Sequence, residues 1–124
     1  GFYDGVPFHR LDKDFVLQGG DPDGDGVGGS SKAIKGEFAS NGVQNNISHK
    51  RGVISMARTG DPNSASSQFF ICLEDSTFLD GNYAAFGYVT EGMDVIDKVR
   101  DTTPESNSIP KNQQPVIETI RVVD

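Results

Sequence analysis

Short apolar segments separated by long, glycine-dense loops constrain this chain more than any other feature of its sequence. Residues 21–52 contain seven glycines among mostly polar residues, and no run within them predicts a helix or strand. The apolar runs elsewhere are brief and rich in aromatic and β-branched residues, which is typical of short strands. After the long loop, strands are predicted at residues 53–57, 68–73 and 84–89.

The two ends of the chain also predict strands. Residues 2–20 predict a turn at Asp4 and Gly5, followed by two short strands that the polar residues 11–14 connect. Residues 116–123 alternate in character, with valine and isoleucine between polar side chains, and predict the closing strand.

Residues 93–100 predict the one convincing helix. Met93, Ile96 and Val99 recur at helical spacing on one face, with Val95 beside them. Short strands, long loops and little helix predict one mainly β domain over residues 1–124, either an antiparallel barrel or a sandwich. A barrel is the more natural of the two if the helix plugs one end.

The charge of the chain argues against several classes of partner. The formal net charge is −7, which disfavours nucleic acid or an anionic membrane as the main partner. No apolar run is long enough to span a membrane, and the start lacks the pattern of a signal peptide. Cys72 is the one cysteine and lies in an apolar run, so we expect a buried thiol and a reducing, cytoplasmic setting.

The acidic loop Asp21-Pro22-Asp23-Gly24-Asp25-Gly26 copies the start of an EF-hand calcium loop. The twelfth position of such a loop should be a bidentate glutamate, but here it is Lys32, which would repel the ion. Flanking helices are also not predicted. We therefore favour a glycine-rich surface loop, and calcium binding stays the alternative.

Few residues offer nucleophilic or metal chemistry. A Ser-His-Asp triad is possible, but Ser55 lies within a predicted strand and no glycine-flanked nucleophile turn occurs. His9, His49 and Cys72 lack metal-ligand spacing, and His9 is expected to be packed and hydrogen-bonded. No glycine loop leads from a strand into a helix as a phosphate site requires.

Arg10 lies among apolar residues, where a permanently charged guanidinium needs partners or solvent. Taken alone, it is best explained as a side chain that reaches water over its aliphatic stem. Several further segments change this interpretation. They are Phe-His-Arg at 8–10, Phe-Val-Leu-Gln-Gly-Gly-Asp at 15–21, Gly-Val-Ile-Ser-Met-Ala at 52–57, Ser-Gln-Phe-Phe at 67–70, Leu-Asp-Gly at 79–81 and Phe-Gly at 86–87.

In this order and with these gaps, the segments strongly resemble the cyclophilin family of peptidyl-prolyl cis-trans isomerases. The resemblance implies a closed eight-stranded antiparallel barrel capped by two helices. The family's first two strands and first helix would precede Gly1, so the 124 residues alone are expected to expose strand edges and to be unstable.

The resemblance also implies an enzyme that isomerises X–Pro bonds and assists protein folding, without cofactor or metal. Its expected partners are proline-containing peptides and folding proteins, not nucleic acid or membrane. The implied catalytic residues are Arg10, Phe15 and Gln18. The implied substrate-binding residues are Val16, Ala57, Arg58, Gln68, Phe70, Phe78, Leu79 and Tyr83.

Three positions depart from the best-known family pattern. Arg58 stands where Asn is common, Phe78 where many eukaryotic members have Trp, and Tyr83 where His is common. The last two, together with the acidic charge, resemble bacterial cytosolic members and predict weakened cyclosporin binding. A module that holds proline segments without isomerising them is the alternative function.

Overall fold

The computed structural model describes residues 1–123, and its main element is one antiparallel sheet. The strands are β1 (Phe8–Asp12), β2 (Val16–Gly19), β3 (Val53–Met56), β4 (Phe69–Cys72) and β5 (Ala85–Tyr88). Their order in the sheet is β1-β2-β4-β3-β5. Three short 3-10 turns and one α-helix, α1 (Met93–Thr102), complete the described elements.

The β1–β2 hairpin determines how the first polar side chains are placed. The amide of Phe15 donates to the carbonyl of Asp12 at 2.9 Å, which closes the turn between the strands. The resulting register sets Arg10 opposite Gln18 and Leu11 opposite Leu17. Facing residues in an antiparallel pair project to the same side, so Arg10 and Gln18 are neighbours on one face. Leu11 and Asp12 both belong to β1, and Leu11 is buried, so the link between the strands begins at Lys13 and not at residue 11 as predicted.

Strand β4 lies at the centre of the sheet and is buried on both faces. Phe70 and Cys72 pack in one apolar cluster with Val16 and Leu79. Phe69 and Ile71 pack in another cluster on the opposite face. All four residues of β4 are buried, which explains why its sequence is continuously apolar rather than alternating.

Helix α1 covers part of the second face, and it extends two residues beyond the predicted end. Met93, Ile96 and Val99 contact the buried clusters, as the sequence predicts. Val95, which was expected beside them, is instead 57% exposed, because it lies outside the narrow contact stripe. Asp94 in the first turn and Arg100 in the last complement the helix dipole.

Two expectations about the sheet are wrong. The sheet is open: β1 and β5 are its edge strands and do not pair with each other, so no closed barrel forms in the described chain. The predicted closing strand at residues 116–123 is reduced to one isolated bridge between Pro7 and Val116. Val122 is 96% exposed, because no strand within residues 1–123 pairs with this segment beyond Ile117.

Within residues 1–123, no helix has the length and apolar character needed to cross a membrane.

Candidate active site

A cavity of about 180 Å³ opens where β1, β2 and β4 meet the loops that follow β3 and β4. We call it the central cavity. Its base rests on the apolar cluster that contains Val16, Phe70 and Leu79, each less than a tenth exposed. Its wall residues are Arg10, Phe15, Val16, Gln18, Ala57, Arg58, Phe70, Leu79 and Tyr83. Nine of the eleven residues named from the sequence thus line one cavity.

Arg10 is held at this cavity by two neutral side chains. Its Nη1 donates to Oε1 of Gln18 at 3.1 Å, and its Nε donates to Oδ1 of Asn107 at 3.2 Å. No carboxylate within residues 1–123 forms an ion pair with it. Two of its five N–H donors are therefore used, and its positive charge has no anionic partner in the part of the chain that the structure describes.

Gln18 connects Arg10, through Gln68, to two backbone carbonyl groups. Its Nε2 donates to Oε1 of Gln68 at 3.0 Å. The Nε2 of Gln68 then donates to the carbonyls of Gly26 and Gly28, at 3.0 and 2.8 Å. Because each amide both accepts and donates, the chain of hydrogen bonds defines the orientation of both glutamines.

The glycine-rich loop that supplies these carbonyls is organised by Asp21. This carboxylate is fully buried and accepts the backbone N–H groups of Asp23, Asp25 and Gly26. Burial opposes ionisation, but these hydrogen bonds outweigh it and lower the pKa of Asp21 to about 2. The acidic motif therefore builds the loop that anchors Gln68.

Arg58 lies at the cavity mouth between two aromatic rings. Its guanidinium carbon is 4.8 Å from the ring centroid of Phe38 and 4.7 Å from that of Tyr83. Its Nε and Nη2 donate to the carbonyl of Asn82 at 3.1 and 2.7 Å, and its Nη1 donates to the carbonyl of Thr59 at 3.0 Å. Stacking and hydrogen bonding together hold the planar group in one orientation.

A second cavity of about 360 Å³ joins the first, and we call it the side groove. Both cavities are lined by Gln18, Ala57 and Arg58. Gln68 lines the side groove and not the central cavity, as expected from the sequence. A larger groove of about 460 Å³ beside Ile34, Ile47 and Phe86 contains none of the predicted site residues.

Phe78 is the one predicted site residue that lines neither cavity. Its side chain is 72% exposed and stacks on Phe15, with ring centroids 5.5 Å apart. The 3-10 turn Thr77–Leu79 buries Leu79 and thereby turns Phe78 outward. Phe78 therefore supports Phe15 from the solvent side and does not form part of the cavity wall.

The structure assembles a Ser-His-Asp arrangement, but none of its three residues lines either cavity. Nδ1 of His49 lies 2.8 Å from Oδ1 of Asp80, and its Nε2 lies 2.9 Å from Oγ of Ser55. Ser55 is fully buried, so its hydroxyl cannot reach a substrate carbonyl. The His49 ring stacks on Phe70 at 6.1 Å, so this network supports the cavity base.

The Asp80 carboxylate completes that network from the partly exposed side. Burial opposes its ionisation, but hydrogen bonds from Ser48 and His49 have the larger combined effect and lower the pKa of Asp80. Asp80 directly follows Leu79, so the network also fixes the end of the turn that carries this cavity residue.

His9 and Cys72 are both buried. His9 is packed as expected, but its Nδ1 has no hydrogen-bond partner within the described chain, contrary to the sequence-based expectation. Burial lowers the pKa of His9 and favours the neutral imidazole. Burial also raises the pKa of Cys72 to about 11, so the protein keeps this residue as a thiol.

Sequence reasoning missed two of the groups that hold the cavity arginines, Asn107 and Phe38. Asn107 lies 97 residues after Arg10, in a polar loop with no distinguishing pattern. Phe38 is fully buried, yet it sits within the long segment in which no regular element is predicted. An isolated aromatic residue in such a loop is the only signal for it.

Comparison with known proteins agrees with this geometry. A family model described as cyclophilin type peptidyl-prolyl cis-trans isomerase matches residues 1–122. The chain belongs to this family. A peptidyl-prolyl cis-trans isomerase-like 1 from Rhizopus delemar is 40% identical over 125 residues, covering 100% of this chain and 74% of that protein.

A bacterial relative and a solved structure show the same likeness. A peptidyl-prolyl cis-trans isomerase from Helicobacter pylori is 47% identical over 102 residues, which cover 81% of this chain and 60% of the relative. A cyclophilin type isomerase from Cryptosporidium parvum, crystallised in the presence of the dipeptide Ala-Pro, superimposes with a TM-score of 0.80 and 30% identity. That match covers 94% of this cyclophilin chain and 73% of the other.

Proposed function

We propose that this cyclophilin chain isomerises the peptide bond before proline in peptides and folding proteins, with the proline ring in the central cavity and Arg10 as the catalytic residue. The observation that carries the proposal is a guanidinium that has no anionic partner among residues 1–123 and is held by neutral amides at the edge of an apolar cavity.

The reaction requires rotation about a partial double bond. The barrier is about 18–20 kcal/mol, and an X–Pro bond isomerises in roughly tens to hundreds of seconds unaided. In the twisted transition state amide resonance is lost, and the prolyl nitrogen gains a lone pair that can accept a hydrogen bond. A donor aimed at this nitrogen stabilises the transition state more than either planar ground state, which is the condition for catalysis.

Arg10 meets this condition because its donors are only partly used. Three of its five N–H groups have no partner within residues 1–123. Gln18 and Asn107 are neutral, so they orient the guanidinium without cancelling its charge. A preorganised donor does not have to reorient during the reaction, and this reduces the cost of reaching the transition state.

The apolar walls supply the remaining requirements. Val16, Phe70 and Leu79 form a dry base on which a proline ring can pack. Phe15 covers one side and lies 5.8 Å from the guanidinium carbon of Arg10, measured at the ring centroid. Exclusion of water strengthens the interaction between Arg10 and the prolyl nitrogen. In this proposal the residues before proline follow Ala57 and Arg58 toward the side groove.

The proposal is tested by comparing Arg10→Ala and Arg10→Lys with the wild-type chain on a proline peptide. Isomerisation is measured by exchange NMR, and peptide affinity is measured separately by titration. Both variants should lose about 10²- to 10³-fold in kcat/KM, since one preorganised donor is removed or replaced by a point charge. Arg121→Ala removes a positive charge that lines neither cavity, and this control should keep full activity.

Near wild-type turnover in both Arg10 variants would contradict the proposed role. Binding of the peptide by the wild-type chain with no acceleration of exchange would instead support a module that only holds proline segments.

A further inference from the structure

The central cavity and the side groove differ in charge from the rest of the protein. The chain carries a formal net charge of −7, yet no aspartate or glutamate within residues 1–123 lines either cavity. The charged residues in these two linings are Arg10 and Arg58. A substrate in this site therefore meets a locally positive surface on an acidic protein.

The five arginines of the chain fall into two groups by ion pairing, and the groups match their position relative to the cavities. Arg51, Arg100 and Arg121 each form an ion pair with an aspartate or glutamate. Within residues 1–123, Arg10 and Arg58 form none. The two uncompensated guanidinium groups are thus the two that face the cavities.

Arg58 is held so that its charge stays at the junction, the place where the central cavity and the side groove meet. The rings of Phe38 and Tyr83 enclose it, and its three hydrogen bonds all go to backbone carbonyls. One N–H on each terminal nitrogen has no partner in the described chain. Asp61, in the same loop, accepts the amide of Asn63 at 2.8 Å and lines neither cavity.

We propose that Arg58 makes this enzyme selective for substrates with an acidic side chain at one of the two positions before the proline. The inference rests on the proposed isomerase function for the placement of the peptide. Consecutive Cα atoms are about 3.8 Å apart, so a chain that leaves the central cavity passes the junction within two residues. A carboxylate there would lie beside a fixed, uncompensated guanidinium, whereas a lysine would be repelled.

The test uses acetylated and amidated peptides that differ only by Glu, Gln or Lys at each of these two positions. Both kcat/KM, from exchange NMR, and Kd, from titration, are measured at about 10 mM and about 1 M salt. At low salt the wild-type chain should favour Glu over Gln about threefold to fivefold at one position or both, the size of a partly exposed ion pair. The preference should largely vanish at high salt.

Three variants assign the preference to Arg58. In Arg58→Gln the preference for Glu over Gln peptides should disappear, so that the ratio falls to about one. Arg58→Lys should retain part of the preference because the charge remains. Arg121→Gln changes the net charge equally but lines neither cavity, so it should leave the ratio unchanged. Ratios within each variant are compared, which separates selectivity from any general loss of activity.

An equal ratio in the wild-type chain and Arg58→Gln, at both positions, would overturn the inference. So would a preference that survives high salt. If Glu peptides bind more tightly through Arg58 but no peptide is isomerised, the selectivity holds and the proposed isomerase function fails.

Discussion

Replacing Gln18 by leucine tests whether the amide chain positions Arg10. The substitution keeps the side-chain size but removes the hydrogen bond from Arg10 at 3.1 Å and the one to Gln68 at 3.0 Å. Each hydrogen bond contributes about 0.5–1.5 kcal/mol, and water partly replaces those at a half-buried site, so unfolding should become easier by about 1–2 kcal/mol. For a 124-residue domain this lowers Tm by about 4–8 °C.

The effect on turnover should be larger than that loss of stability explains. Arg10 keeps Asn107 but loses the tether to β2, so its donors are less well aimed. Misplacing a catalytic group by about 1 Å can cost up to about a hundredfold, and we expect about a tenfold fall in kcat/KM. Turnover is measured by exchange NMR at a temperature well below Tm, and stability is measured by calorimetry.

Gln114→Leu is the matched control for this experiment. Gln114 also makes two hydrogen bonds through its amide, to the carbonyls of Gly24 and Ile109, but it lines neither cavity. It should lower Tm to a similar extent and leave kcat/KM unchanged. If Gln18→Leu keeps wild-type kcat/KM while Tm falls, the amide chain stabilises the fold only and the positioning argument is refuted.

Five further outcomes are expected. Because Arg10 acts without a general base or metal, kcat/KM should be nearly constant across neutral pH and should be unchanged by EDTA. A bell-shaped dependence of kcat/KM on pH would contradict this mechanism. In denaturant titrations the free energy of unfolding should decrease as pH falls from 3.8 toward 2, in part because Asp21 ionises more readily when folded, and Asp21→Asn should make this decrease smaller. His9 should lower the free energy of unfolding further as pH falls below 6.5, because its imidazole takes up a proton more readily in the unfolded chain. His9→Gln should abolish this contribution of His9. Ser55→Ala should lower Tm by several degrees yet keep isomerase activity, and complete inactivation of a folded variant would point to a catalytic hydroxyl. Phe78→Trp adds an exposed N–H donor and should tighten cyclosporin binding by up to about tenfold, as one hydrogen bond allows, and equal affinity in both proteins would contradict it.

Local sequence pattern was sufficient for the five strands of the sheet and for the helix, whereas the residues of the site were named from the resemblance to the cyclophilin family. The strand at 69–72 is continuously apolar because both of its faces are buried, and the helix at 93–102 shows its contact stripe in its spacing. The β1–β2 turn places Arg10 opposite Gln18 through residues that are adjacent in sequence. Such features depend on short-range geometry, so periodicity and turn residues encode them directly.

The tertiary structure alone decided the features that depend on long loop paths. Asn107 meets Arg10 across 97 residues, and Phe38 reaches Arg58 from the glycine-rich segment. The alternating segment at 116–123 illustrates the same limit, because a strand needs a partner edge and its own sequence cannot supply one. Phe78 points outward because its neighbour Leu79 takes the buried position. A hydrogen bond or ring contact between distant segments is set by where whole loops pack, and local periodicity carries no record of that packing.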